Sequence, residues 1–306
     1  MSNIQRIKTI TEFHRSRGLM SPGHPLISIV NYADVRLTAE QLDQTWMFDF
    51  YLIALKRNIE GKIKYGQQAY DFDEGVLFFI APGQVFSISR EGYSAGEKSG
   101  WMLLLHPDFL WRTSLSKTIK QYDYFGYAIH EALFVSNKEE AVLERIIEDI
   151  RQEYHANPDP YSQNIIVSQL ETLLNYSERF YNRQFLTRKK IGHKLLGSLE
   201  ELLTAYFNDQ ELATKGLPTV GLLAEQLHVS PKYLSSLLRQ LTGLSAQQHI
   251  HEKLIEKAKE RLSASRLSVS EIAYELGFEH PQSFSKLFKL KTRVSPLAFR
   301  RSFQNN

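Results

Sequence analysis

The chain contains no cysteine. That removes disulfides, thiolate nucleophiles, thiol redox sensing and cysteine-ligated zinc from consideration. It also has no run approaching the ~18 apolar residues of a membrane-spanning helix. Its first residues, MSNIQRIKTITEFHRSRG, carry charges where a signal peptide needs its apolar segment. The expectation is a cytoplasmic protein that makes no membrane contact. Acidic residues are missing between Glu178 and Glu200, where Arg183, Arg188, Lys189, Lys190 and Lys194 accumulate. This shift in composition places a boundary between two domains, residues 1–187 and 188–306. The first carries 19 Lys+Arg against 23 Asp+Glu and the second 18 against 11, net charges of −4 and +7. A basic C-terminal third favours a polyanionic partner.

What is present fits globular structure: 306 residues, 42% hydrophobic and 23% charged, are enough for more than one core. From about Ser28 to Leu105 the signals are those of strands, in FDFYLIAL (48–55), VLFFIAP (76–82), VFSIS (85–89) and WMLLL (101–105). Glu60-Gly61, Asp73-Glu74-Gly75 and Pro82-Gly83 supply turns, so an antiparallel barrel or sandwich is expected. After His106-Pro107-Asp108 the period changes. Val142, Ile146, Ile150 and Tyr154, then Ile166, Leu170, Leu173 and Leu174, mark two amphipathic helices. They either pack on the barrel or expose a strip for dimerisation.

The C-terminal region contains a repeat. VGLLAEQLHVSPKYLSSLLRQLTGLS (220–245) aligns with VSEIAYELGFEHPQSFSKLFKLKTRVS (269–295) at an offset of 49 through Leu276 and 50 thereafter. Val220, Ala224, Leu227, Pro231, Ser235, Leu237, Thr242 and Ser245 recur as Val269, Ala273, Leu276, Pro281, Ser285, Leu287, Thr292 and Ser295. Each copy reads as a helix of about two turns, a tight corner and a second helix, the helix-turn-helix pattern. The motifs span about 220–241 and 269–291. In the second copy Ser268 and Glu271 have capping-box spacing, Gly277 suits a left-handed C-terminal residue and Pro281 suits a first helical turn. Between the copies Ser245 and Gln248 again have capping-box spacing. Ile250, Leu254, Ala258 and Leu262 then predict one joining helix of about 18 residues, roughly 27 Å long.

At 100° per residue, Phe284, Leu287 and Phe288 share one face of the last helix of the repeat, leaving Gln282, Lys286 and Lys289 opposite. In the first copy Leu234, Leu237, Leu238 and Leu241 form the apolar face, and Lys232, Ser236 and Arg239 are the equivalent polar set. Long polar side chains on a helix in the major groove hydrogen-bond base edges, and Lys and Arg neutralise phosphates. Two matched copies with different polar faces therefore point to double-stranded DNA. The joining helix approaches the ~34 Å between successive major-groove segments.

EIAYELGF (271–278), FSKLFK (284–289) and VSPLAFR (294–300) resemble the C-terminal signature of the AraC/XylS family of bacterial transcription regulators. The resemblance covers 193–306 and implies an all-α domain of seven helices with two helix-turn-helix units joined by a long helix. It places base-reading residues at Lys232, Ser235, Ser236 and Arg239, and at Gln282, Ser283, Lys286 and Lys289. Two positions depart from the pattern: Arg293 stands where the signature has Gly, and Ser283 where an aromatic residue is frequent. GVLFFIAPGQVFSI (75–88) and WMLLLHPDFLW (101–111) resemble, more loosely, the cupin-like barrel of the family's sensing and dimerisation domain.

The resemblance thus implies an N-terminal α+β domain with a cupin-like β-barrel followed by amphipathic helices. It further implies a small-molecule effector, a homodimer and contact with RNA polymerase. Metal-binding cupins use paired His and a Glu. Here Phe86 follows the Pro82-Gly83 turn, no His-x-His lies in the barrel region, and His249-x-His251 falls on the joining helix, where i,i+2 residues diverge. No metal, cofactor or catalytic residue is expected. A cupin-type enzyme with an appended helical domain is the alternative, and it asks for ligands not found. Tyr51, Phe79 and Trp101 suit either core packing or a ligand pocket.

Overall fold

The computed structural model describes residues 4–42, 44–57, 64–65, 68–69, 75–87, 99–128, 131–156, 159–187, 189–208 and 212–304. They form two units, 1–187 and 188–306. The first contains, in chain order, β1 (Ile4–Ile7), α1 (Ile10–Ser16), β2 (Ile27–Asn31), β3 (Thr45–Phe48), β4 (Tyr51–Arg57), β5 (Lys64–Tyr65), β6 (Gln68–Ala69), β7 (Gly75–Ile80), β8 (Val85–Ser87) and β9 (Ser99–Leu105). It continues with α2 (Leu115–Thr118), β10 (Leu133–Val135), α3 (Asn137–His155) and α4 (Ser162–Thr187).

The apolar run of β4 places it inside a five-stranded antiparallel sheet of order β10-β7-β4-β9-β2. Tyr51 to Leu55 are all buried, because both faces of the sheet are covered. Leu52, Ala54, Ile80, Met102 and Leu104 pack with Trp46, Phe48, Phe50 and Phe86. Their alternates turn the other way: Tyr51 meets Phe125, and Phe79 meets Tyr124 and, on α4, Tyr181. Tyr51, Phe79 and Trp101 are thus core residues.

The expected closed barrel is not what the described strands form. A separate three-stranded sheet, β1-β3-β8, has β1 parallel to β3, and among the described residues β5 and β6 pair with each other alone. The segment 48–55 does not run as one strand but bends at Asp49-Phe50, passing the chain from one sheet to the other. Arg6 holds the corner by gripping Asp49 at 2.9 Å, and the Asp49 N–H donates to the Ile7 carbonyl. The β10 edge is closed by side chains in place of a strand. Gln184 accepts from the Phe134 N–H and donates to the Ala132 carbonyl, while Arg183 donates to the Phe134 carbonyl. Glu60-Gly61, Asp73-Glu74 and the end of VFSIS at 88–89 lie outside the described residues.

Both apolar helix stripes face inward. On α4, Ile166, Leu170, Leu173 and Leu174 are buried as a set. On α3 the buried stripe is Leu143, Ile146, Ile147 and Ile150, whereas Val142 and Tyr154 are half-buried. A strict four-residue rhythm drifts off a 3.6-residue helix, so those two positions fall at the border. The Tyr154 hydroxyl accepts from the Gly23 and His24 N–H groups.

The second unit is helical: α5 (Lys189–Asn208), α6 (Leu212–Lys215), α7 (Val220–Gln226), α8 (Pro231–Thr242), α9 (Ala246–Ala264), α10 (Val269–Glu275), α11 (Pro281–Thr292) and α12 (Pro296–Gln304). Apart from the single turn α6, these are the seven helices the resemblance implies. One apolar cluster runs through them, from Leu199 and Leu203 on α5 through Leu234 and Leu238 on α8 and Leu254 and Ala258 on α9 to Phe284 and Phe288 on α11.

Candidate nucleic-acid interface

The repeat recurs in its hydrogen bonds at the first caps, the corners and the far ends. It differs at the start of the second helices, where Ser230 caps α8 by accepting from the Tyr233 N–H and the His280 side chain makes no such bond on α11. Thr219 caps α7 by accepting from the Leu222 N–H, and Ser268 caps α10 by accepting from the Glu271 N–H, each at 3.1 Å. At the first corner the His228 and Val229 N–H groups donate to the Glu225 and Ala224 carbonyls. At the second, Gly277 and Phe278 donate to Tyr274 and Ala273. The offset of 49 therefore extends to Phe278, and the extra residue falls between Phe278 and Pro281. At the far ends the Gly243 N–H bonds to the Arg239 carbonyl and the Arg293 N–H to the Lys289 carbonyl, both at 2.9 Å. The Thr242 and Thr292 hydroxyls each return to the carbonyl four residues back, at 2.8 Å.

Each corner and each helix end demands a left-handed residue, and the copies meet the demand in opposite ways. The corner uses His228 (φ +56°) in the first copy and Gly277 (φ +81°) in the second. The end uses Gly243 (φ +76°) in the first and Arg293 (φ +68°) in the second. Arg293 thus adopts the turn its glycine counterpart makes and accepts the strain of a Cβ there. Gly277 has no such latitude: a Cβ would stand 2.9 Å from the Gly216 carbonyl carbon.

Burial divides the second helices of the two repeats by face. On α8, Tyr233, Leu234, Leu237 and Leu238 are buried, Lys232 and Arg239 are exposed, and Ser235 and Ser236 are half-buried. On α11, Phe284 and Phe288 are fully buried and Leu287 partly so, while Gln282, Ser283, Lys286 and Lys289 are exposed. All eight sequence-nominated positions therefore lie on the two second helices of the repeats, four on each. Gln240 and Leu290 share the exposed surface although neither belongs to the polar sets read from the sequence; Leu290, 65% exposed, is an apolar side chain among lysines.

Neither α8 nor α11 contains an acidic residue. On α9, by contrast, Lys253 and Lys257 are paired with Glu256 and Glu260 at 3.0 and 2.8 Å. Two of the lysines on the joining helix are thus paired within it, whereas no acid lies within α8 or α11. His249 bonds to Thr242 and His251 to Gln247, so the His-x-His pair serves two different partners. Among the described residues no group of three or more His, Asp or Glu converges as metal ligands would.

Residues 223–302 match a family described as "Helix-turn-helix domain". The Msm operon regulatory protein of Streptococcus mutans is 34% identical over 84 residues, 28% of this chain and 30% of its own length. The HTH-type transcriptional activator RhaS of Escherichia coli is 38% identical over 74 residues, 24% of this chain and 27% of its own. Among solved structures, the C-terminal domain of AraT, a response regulator from Geobacillus stearothermophilus, is 30% identical. That match covers 35% of this chain and 84% of that one with a TM-score of 0.31. The chain spans less than a third of the length of these curated relatives.

Proposed function

We propose that this chain, whose C-terminal unit carries an AraC-type helix-turn-helix domain, is a sequence-specific DNA-binding transcription regulator. The observation that carries the reading is the pair of helix-turn-helix units with one hydrogen-bond register and two different polar faces on a single core. Lys232, Ser235, Ser236 and Arg239 read one major-groove segment, and Gln282, Ser283, Lys286 and Lys289 the next. The 19-residue α9, roughly 28 Å long, sets their separation. The N-terminal unit binds a small organic effector and supplies self-association as a homodimer, and the DNA-bound protein acts on RNA polymerase. These last assignments follow the AraC/XylS resemblance.

Selection of bound sequences from random duplex DNA, followed by titration at rising salt, tests the reading. Affinity should fall steeply from about 50 to 200 mM salt as counterion release weakens. A folded protein that selects no sequence, or whose binding ignores salt, refutes it. Sedimentation of the N-terminal 187 residues decides the dimer: a strict monomer removes that part.

A further inference from the structure

We propose that the N-terminal unit binds an organic carboxylate through Arg17, the guanidinium holding the carboxylate and the surrounding aromatic side chains holding its apolar body. The proposal rests on the regulatory reading above and names the chemical class of its effector.

Arg17 ends α1 and is only 2% exposed. The carbonyls at a helix C-terminus favour a cation there, but they do not bond its side chain. The guanidinium lies 4.4 Å from the centre of the Trp46 ring and 5.5 Å from that of Phe13. Its Nη1 is buried with no hydrogen-bond partner among the described residues. Burial alone drags its pKa down to about 10. Other arginines of this unit are treated differently: Arg6 meets Asp49, Arg57 meets Glu140 and Glu144, and Arg183 meets Glu139.

A buried cation without an anion is costly, and a cation–π contact returns only part of the lost hydration. The missing partner is planar and anionic, because the guanidinium fork matches a carboxylate through two parallel hydrogen bonds. It is also apolar beyond that group, since Arg17 borders the cluster of Phe13, Trp46, Phe48, Val35 and Met102. Hydrogen bonds tie the neighbouring chain to the end of α1 and to Trp46. The Arg36 N–H donates to the Arg17 carbonyl, Gln41 Nε2 to the Ser16 carbonyl and Trp46 Nε1 to the Gln41 carbonyl, at 3.1 to 3.3 Å. Ligand access to the guanidinium requires local opening beside the Trp46 ring. Trp46 is thus both the ring on which Arg17 rests and the donor to the Gln41 carbonyl.

The test uses the full chain with 3-phenylpropanoate and hexanoate, each against its primary alcohol, in thermal melts and in DNA titrations. At least one carboxylate should raise Tm with the logarithm of its concentration, and its alcohol should not. Arg17→Met should fold with an unchanged or higher Tm and lose the carboxylate shift. Arg17→Lys should bind about 10- to 100-fold more weakly than the parent, because the fork is lost and the charge kept. Arg17→Gln serves if Arg17→Met does not fold, and failure of both to fold makes Arg17 a structural cation and overturns the proposal. So does the absence of any carboxylate shift in the parent chain, or a shift that survives in the folded neutral variant. DNA binding in the same samples separates the two readings. Sequence-selective binding without a carboxylate effect sinks only the Arg17 site, whereas a carboxylate effect without DNA binding sinks only the regulator.

Discussion

Gln282 and Lys286 stand one helical turn apart on the exposed face of α11, across the helix from buried Phe284 and Phe288. Replacing either by Ala should leave the melting temperature unchanged. It should cost roughly 1 to 3 kcal/mol at particular base pairs, relaxing preference there on a panel of single-base operator variants. If both variants keep the parent's preferences, α11 does not read sequence through this face, and DNA shape or α8 supplies the specificity. Lys289→Ala should instead weaken all sites alike and flatten the salt slope by about one phosphate contact. The left-handed positions separate differently. Gly277→Ala drives a Cβ into the Gly216 backbone at a φ of +81° and should cost about 2 to 4 kcal/mol. Arg293→Gly relaxes a strained residue in open solvent and should stabilise by up to about 1 kcal/mol. Denaturant midpoints for the two variants must move in opposite directions. Sequence alone marks Arg293 as a departure, but its backbone conformation is visible only beside that of Gly243. Arg17 carries no local sequence signal, because nothing in a short pattern says that a cation will end up buried with no anion beside it among the described residues.

Elements of the C-terminal unit were legible because their signals are short-range. Caps, a proline in the first turn and a 3.6-residue period all act within a few residues and recur in both copies, while the corner glycine belongs to the second copy alone. The sheets of the first unit were less so. β1 and β10 are three or four residues long and are fixed by partners far along the chain, at β3 and β7. Closure versus an open edge depends on Gln184, some 50 residues away from the strand it caps. The expectation at element scale is that α11 is held by its buried face. Phe288→Ala should cost about 3 to 5 kcal/mol of folding stability, since a fully buried ring is deleted from a small core. DNA binding should then weaken for every sequence alike, unlike the loss at Gln282. At α10, hydrogen bonds from Ser268 hold the Glu271 carboxyl below its ordinary pKa. A depressed acid contributes stability above its unfolded pKa and loses it as pH falls through the folded value. Glu271→Ala removes that carboxylate and should therefore lower Tm at neutral pH, with the difference from the parent shrinking in acid.

At the scale of the whole molecule the decisive feature is that α8 and α11, the helices proposed to read DNA, belong to one apolar core. Leu234 and Leu238 of α8, Leu254 and Ala258 of α9, and Phe284 and Phe288 of α11 share a single cluster. A close-packed interior does not stretch, so the separation of the two heads is fixed by α9. Two heads on a flexible tether would behave otherwise, because inserting about ten base pairs, one helical turn, between their two sequence blocks would restore the facing and most of the affinity. With a shared core, an insertion of about five base pairs and one of about ten should both reduce the protein to single-head binding. The control lies between two copies of the whole operator. If the N-terminal units associate, one added turn between copies should be tolerated better than half a turn, because that spacing is bridged by two protein chains rather than by one core. Recovery of affinity with a full turn inserted inside a single operator would show that α8 and α11 move independently, and α9 would then be a tether rather than a ruler.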